Sequence, residues 1–220
     1  MFPPREPSIQ VALDVLDLEL ALRIAKICAE EGIHVIELGT PLLKRYGSWI
    51  AKVFRAVIED KPMVADLKIV DAAKLEIEPA VKSGANAVTV MGFADDEVVK
   101  ECLETCRELG CSVVADLMYV RNPVQRALEL YGLGIDAVCL HVGVDVQRRR
   151  GLSARDLLKE VETLAREGMV VAVAGGIKPE NVCEFVSSGA RIVIIGSGIT
   201  KSSDPRSAAR LAVKNLASCR

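Results

Sequence analysis

The amino-acid sequence predicts an α/β fold and, within that class, a closed (β/α)8 barrel of the TIM type built as one domain over residues 1–220. Three observations carry the expectation. A unit recurs in which an amphipathic stretch, a turn and a short Val/Ile/Ala run follow one another; eight such apolar runs are legible; and no shift of composition marks a linker or a second domain.

The first run is Ser8-Ile9-Gln10-Val11-Ala12-Leu13-Asp14. The second, Ile33 to Glu37, follows Gly32, and the third, Met63 to Leu67, follows the turn Asp60-Lys61-Pro62. Ser83-Gly84 leads into Ala87 to Val90, Leu109-Gly110 into Ser112 to Ala115, and Leu133-Gly134 into Ala137 to Leu140. Glu167-Gly168 leads into Val170 to Val173, and Ser188-Gly189 into Ile192 to Ile195. Successive glycines lie 52, 26, 24, 34 and 21 residues apart, and 52 is two units of 26 whose middle turn is the one at Pro62. Each glycine suits the left-handed position that ends a helix, and each continuous apolar run suits a parallel strand with both faces covered. Between them lie helical patterns at Leu18 to Glu31, Ala154 to Arg166, Pro205 to Leu216 and Asp95 to Leu109, the last with Val98, Val99, Cys102, Leu103 and Cys106 on one stripe. Alternating strands and helices imply right-handed crossovers, and eight strands close a barrel. A doubly wound open sheet is disfavoured: it would use five or six strands and a glycine loop after the first, where this chain has Asp14-Val15-Leu16-Asp17.

Half of the 220 residues are hydrophobic, enough for a large core, which excludes intrinsic disorder. With 28 Lys+Arg against 30 Asp+Glu there is no basic field to hold a nucleic-acid backbone. No apolar run reaches the roughly 18 residues of a membrane span, and Met1-Phe2-Pro3-Pro4-Arg5-Glu6-Pro7 does not resemble a secretory leader, so a cytoplasmic location is expected. The seven cysteines are scattered without a Cys-x-x-Cys pair and only two histidines accompany them, which argues against a structural zinc. Cys102 and Cys106 are read as small buried hydrophobes.

In such a barrel the chemistry lies at the C-terminal ends of the strands. Seven ionisable groups fall there: Asp14, Glu37, Asp66 with Lys68 and Asp71, Asp116, and His141. Burying so many charges is costly unless they pair or hold a ligand, so they are read as a site, with Asp116 as the bystander among them. Strands seven and eight end instead in Gly175-Gly176-Ile177-Lys178-Pro179 and Gly196-Ser197-Gly198-Ile199-Thr200, where backbone N–H groups can approach an anion; a phosphorylated substrate is expected there. Glu37 and Asp66 offer the hard oxygens that Mg²⁺ takes, although two carboxylates can equally pair with Lys68.

The run Asp66-Leu67-Lys68-Ile69-Val70-Asp71 forms Asp-x-Lys-x-x-Asp and resembles the signature of the orotidine 5′-monophosphate decarboxylase superfamily. The resemblance extends from Gln10 to Ala209. Glu37, in Ile36-Glu37-Leu38-Gly39-Thr40-Pro41-Leu42, stands where the decarboxylase itself has lysine and is similar to the metal-dependent branch of 3-hexulose-6-phosphate synthases and 3-keto-L-gulonate-6-phosphate decarboxylases. His141-Val142-Gly143-Val144-Asp145 is similar to the synthase pattern, the keto-gulonate decarboxylases having arginine at the place of Val144.

The resemblance implies Mg²⁺ on Glu37 and Asp66, substrate contact by Asp14, Lys68 and Asp71 beside a reacting enediolate, and proton transfer by His141. It implies phosphate on Gly175, Gly176, Gly196 and Ser197, and a homodimer in which Asp71 reaches the neighbouring site. Ser197 stands where some relatives have arginine, leaving phosphate charge to backbone dipoles and to Lys178 or Lys201. The basic stretch Gln147-Arg148-Arg149-Arg150-Gly151 is read as a solvated loop in preference to an anion clamp. The implied reaction is the aldol condensation of formaldehyde with D-ribulose 5-phosphate to D-arabino-hex-3-ulose 6-phosphate, or its reverse. Decarboxylation of 3-keto-L-gulonate 6-phosphate, an orotidine 5′-monophosphate decarboxylase-like activity and a non-catalytic phosphosugar-binding barrel are the competing readings.

Overall fold

All eight apolar runs are strands: β1 Ser8–Leu13, β2 Val35–Leu38, β3 Met63–Ile69, β4 Ala87–Met91, β5 Ser112–Asp116, β6 Ala137–His141, β7 Val171–Ala174 and β8 Ile192–Ile195. In the computed structural model, which describes residues 2–219, they pair in parallel and in sequence order, and β1 also pairs with β8, so the sheet closes with no free edge. Closure follows from the even repeat: each helix returns the chain to the start of the next strand, and the eighth meets the first.

The helices are α1 Leu18–Glu30, α2 Thr40–Tyr46, α3 Ala51–Ile58, α4 Ala73–Lys82, α5 Asp96–Leu109, α6 Pro123–Leu133, α7 Val144–Arg150, α8 Leu158–Arg166, α9 Val182–Ser187, α10 Ser197–Thr200 and α11 Pro205–Ser218. Local chemistry sets their ends. The Asp17 and Asp95 carboxylates accept from the N–H groups of Leu20 and Glu97, both at 2.9 Å, satisfying donors that the first turn leaves free. Gly110, at φ +73°, ends α5 in the left-handed conformation that a side chain would resist. The arginines Arg148, Arg149 and Arg150 were expected on a loop; they form the last turn of α7, where cations face the negative end of the helix and Arg148 pairs with Asp145 at 2.9 Å.

Strand periodicity divides the core in two. Residues of one parity, such as Ile9, Val11, Leu13, Ile36 and Val88, pack outward against helical side chains including Ile24, Phe54, Ile77, Cys102 and Phe185. Residues of the other parity fill the barrel: Ala12, Val35, Val64, Ala87, Val114, Ala137, Cys139, Ala172, Ala174, Ile192 and Ile194. Phe2 joins this inner cluster, and its carbonyl accepts from Ser112 Oγ at the start of β5, at 2.9 Å, so its ring lies toward the N-terminal mouth. Many inner residues are alanine, which leaves room at the other mouth.

Candidate active site

One step of two along each strand converts the inner apolar layer into a polar one. Ala12 leads to Asp14, Val35 to Glu37, Val64 to Asp66, Ala87 to Thr89, Val114 to Asp116 and Cys139 to His141. Because side chains alternate with period two, these six must point into the barrel, and all of them line one cavity of about 470 Å³ at its C-terminal mouth.

Strand β3 departs from regular pairing to present two charges. Its register with β4 shifts between Ala65 and Ile69, and Lys68 takes φ +52°. The Lys68 N–H consequently donates to Thr89 Oγ1 at 2.9 Å, and the Thr89 hydroxyl donates to Asp66 Oδ1 at 2.7 Å. Thr40, at the start of α2, donates to Asp66 Oδ2 at 2.7 Å. Asp66 is thus oriented by two hydroxyls from neighbouring elements.

The Lys68 ammonium lies 2.6 Å from Asp116 Oδ2 and 3.2 Å from Asp66 Oδ2. Asp116 also meets His141 Nδ1 at 3.0 Å and accepts the Met118 N–H at 2.9 Å. The expectation that Asp116 is a bystander is therefore wrong: it is 2 % exposed and joins the lysine to the histidine. Its terminal place on β5 suggested a solvated rim residue, but its parity turns it inward. Burial alone would raise its pKa; the hydrogen bond and charge of His141, with Lys68, outweigh that and hold the carboxyl well below the usual range. Burial would lower the Lys68 pKa, and Asp66 with Asp116 reverses this, keeping the ammonium charged.

The opposite side of the cavity is acidic without a matching cation. Burial first, then the charges of Asp66 and Asp14, push the Glu37 carboxyl well above its ordinary value; Gln10 Nε2 donates to Glu37 Oε2 at 3.0 Å. Asp14 is raised by burial and by Asp66. A Cβ on Gly39 would lie 2.1 Å from Asp14 Oδ1, so only glycine leaves Asp14 its place. Neither Glu37 nor Asp14 has a Lys, Arg or His nitrogen within 4.0 Å among the described residues. Glu37 and Asp66 supply the hard oxygens that Mg²⁺ accepts, and a divalent cation beside Glu37 would relieve the burial and the neighbouring negative charges that raise it; the ligand-type groups whose donor atoms lie within 4.8 Å of one another among the described residues are Asp116, Cys139 and His141.

The glycine loops close the cavity beside Asp14. Gly175 and Gly176 take φ +121° and +70°, and a Cβ on Gly175 would lie 2.6 Å from the Val142 carbonyl. Gly196 and Ser197 line the same cavity. The segment after β8 is the single turn α10, so a short turn and not a long helix follows the glycine loop there. Asp71 is exposed on the rim beyond β3 and does not line this chain's cavity. Gln10, Thr40 and Thr89 escaped the sequence reading because neutral side chains carry no charge signal; inward parity would have found Gln10, four residues before Asp14 on β1, and Thr89, two beyond Ala87 on β4.

A closed barrel with an ion-paired lysine, a carboxylate-bound histidine and an acidic pair converging at its C-terminal mouth is a (β/α)8-barrel enzyme. This chain belongs to the orotidine 5′-phosphate decarboxylase / HUMPS family, whose model matches residues 7–212. It is similar to the 3-hexulose-6-phosphate synthase of Staphylococcus epidermidis, 37 % identical over 203 residues that cover 92 % of this chain and 95 % of the relative. Among solved structures it is similar to 3-hexulose-6-phosphate synthase from Salmonella typhimurium, with TM-score 0.90, 32 % identity and coverage of 97 % and 100 %. It is also similar to KGPDC from Streptococcus mutans in complex with D-R5P, with TM-score 0.90, 27 % identity and coverage of 97 % and 98 %.

Proposed function

We propose that the chain is a Mg²⁺-dependent 3-hexulose-6-phosphate synthase, joining formaldehyde to D-ribulose 5-phosphate to give D-arabino-hex-3-ulose 6-phosphate, or cleaving that product. The observation that carries the reading is the Lys68–Asp116–His141 array facing the Glu37 and Asp66 carboxylates in one cavity closed by the glycine loops. A divalent ion held by Glu37 and Asp66 would supply Lewis-acid polarisation to the sugar's carbonyl.

The chain's own groups carry the proton and charge traffic. Asp116 accepts at His141 Nδ1, so that nitrogen bears the proton and Nε2 is left as the base. Nε2 takes a proton from C1 of ribulose 5-phosphate, and the electron pair moves toward the C2 oxygen to give an enediolate. Lys68, held as ammonium, lends positive charge to that oxygen. C1 then attacks the formaldehyde carbon, forming the new C–C bond, and the resulting alkoxide recovers the proton from His141. Lys68 does not serve as a Schiff-base nucleophile, since Asp66 and Asp116 stabilise its charged form.

Asp14 contacts the substrate's hydroxyls, and Gly175, Gly176, Gly196 and Ser197 face its phosphate. The enzyme acts as a homodimer, with Asp71 serving the neighbouring cavity; the exposed apolar side chains Leu16, Val70, Leu75, Phe93 and Val144 all belong to the rim around the mouth and support a protein contact there. A phosphorylated substrate supports a cytoplasmic location; no helix among the described residues is long and apolar enough to cross a membrane.

The test is incubation of the purified protein and Mg²⁺ with ribulose 5-phosphate and formaldehyde. Consumption of formaldehyde in equal measure with ribulose 5-phosphate is expected. Release of carbon dioxide from 3-keto-L-gulonate 6-phosphate without formaldehyde consumption would assign the decarboxylase branch instead, against Val144; inactivity on both would leave a binding protein.

A further inference from the structure

The cavity that must admit a phosphate dianion is itself acidic. Asp14, Glu37, Asp66, Asp116 and Asp145 line it, against the cationic side chains Lys68 and Lys201 and the histidine. Lys68 is committed, at 2.6 and 3.2 Å, to two of those carboxylates. The glycine loops offer N–H dipoles but no formal charge, and no arginine among the described residues lines the cavity.

We propose that Lys201 is the residue that balances the phosphate and so sets this enzyme's preference for phosphorylated over unphosphorylated sugars; the inference rests on the sugar-phosphate reading above. Lys201 directly follows the turn made by Ser197–Thr200, and its own N–H donates to the Ser197 carbonyl at 3.1 Å, which fixes its backbone beside the anion-facing loop. It has no carboxylate within 4.0 Å among the described residues, so its charge is available, and its field reaches Asp14 in the same cavity, where with Lys68 and His141 it opposes the rise that burial and Asp66 cause. Lys178, the other lysine near these loops, lines with Arg155 and Glu180 a neighbouring cavity of about 480 Å³ that borders the same Gly175 and Gly176, but it does not line the catalytic cavity itself. A lone ammonium grips an anion as a point charge, without the planar fork of arginine, so charge and not bidentate geometry is what the position requires.

The experiment compares wild type with Lys201→Gln, Lys201→Arg and Lys178→Gln, all checked for folding by circular dichroism. One charge-assisted contact corresponds to about 10- to 100-fold in affinity. Lys201→Gln is expected to raise KM for ribulose 5-phosphate, and Ki for inorganic phosphate as a competitor, by that factor with kcat within about threefold. Lys201→Arg restores most of the affinity, Lys178→Gln matches wild type, and affinity for unphosphorylated ribulose is the same in wild type and Lys201→Gln. Wild-type affinity for both phosphate and ribulose 5-phosphate in Lys201→Gln overturns the proposal while leaving the functional reading intact. If wild type does not act on ribulose 5-phosphate, the functional reading fails and calorimetry with inorganic phosphate still decides Lys201: weaker binding in Lys201→Gln supports it, and equal or absent binding in both proteins overturns it.

Discussion

Replacing Asp116 by asparagine keeps the shape of the side chain and removes its charge, which isolates the role of the carboxylate that joins Lys68 to His141. In the native site Oδ2 receives the ammonium at 2.6 Å and the imidazole at 3.0 Å, while Oδ1 receives the Met118 N–H at 2.9 Å. An amide presents one acceptor oxygen and no charge: placed where Oδ2 was, it leaves the Met118 N–H without an acceptor and turns both contacts to Lys68 and His141 into weaker, uncharged-acceptor ones; placed where Oδ1 was, it loses both contacts. Each such hydrogen bond contributes about 1.5–3 kcal/mol, and weakening or losing the two together is worth about 2–6 kcal/mol of the barrier. Through the rate equation, about 1.4 kcal/mol per decade, the expected fall in kcat is roughly 30-fold to 10⁴-fold, with KM for the sugar phosphate changed far less. The stability cost is smaller than for a fully sealed ion pair, because Lys68 keeps Asp66 at 3.2 Å and its side chain retains 21 % exposure; a loss of about 1–3 kcal/mol is expected. Steady-state formaldehyde consumption and a urea unfolding curve on the same preparation measure both quantities. A variant that turns over within tenfold of wild type would refute the reasoning that Asp116 organises the lysine and the histidine.

Three further outcomes follow from the same physics. Glu37→Gln removes a buried carboxylate that has no cationic partner, so the metal-free protein should melt at the same temperature as wild type or higher, while the stabilisation that Mg²⁺ confers on wild type and most of the activity disappear; an unchanged Mg²⁺-induced melting shift would exclude Glu37 as a ligand. His34 accepts the Ile9 N–H at Nδ1, 3.2 Å away, and burial followed by the Lys61 charge lowers its pKa, so the folded state favours the neutral ring. Its unfolded form takes up a proton first as pH falls through about 6.5, and stability therefore declines from there until pH passes below the folded value; His34→Asn should flatten the change in urea midpoint between about pH 7.5 and 5.5, and an identical pH slope in both proteins would contradict this. Cys183 and Cys219 are joined as a disulfide across 36 positions of sequence, which the scattered cysteine pattern did not suggest. Closing a loop of that length is worth at most about 4 kcal/mol, so Cys183→Ser should lower the melting temperature by several degrees under oxidising conditions and by almost nothing in excess dithiothreitol; equal melting in both buffers would show that the bond adds no stability.

The barrel was legible because its cause is periodic. Apolar runs separated by helix-length intervals dictate parallel strands, and Glu37, Asp66, Lys68 and His141 stood out as charges at their C-terminal ends. What escaped the reading depends on direction, not composition. Asp116 looked like a rim charge until strand parity placed it inside, two residues beyond Val114. Thr89 and Gln10 are ordinary polar residues in sequence and acquire their roles only when β4 and β1 bring them against Asp66 and Glu37. The triple arginine reads as a loop because three adjacent cations repel, yet Gly143 before and Gly151 after bound a short helix that carries them at its negative end. The Cys183–Cys219 bond joins α9 to the residue ending α11, a pairing set by how the last two helices pack and invisible in spacing alone.

The central claim is that Glu37 and Asp66 hold the ion under which Lys68 and His141 build a carbon–carbon bond. Carbon-13 NMR of a mixture of ribulose 5-phosphate, ¹³C-formaldehyde and the purified protein tests it most directly. With Mg²⁺ present the label should enter C1 of a hexulose 6-phosphate, and should stop entering on chelation and in Glu37→Gln. Label appearing at the same rate after chelation, or none appearing in the complete mixture, would contradict the account.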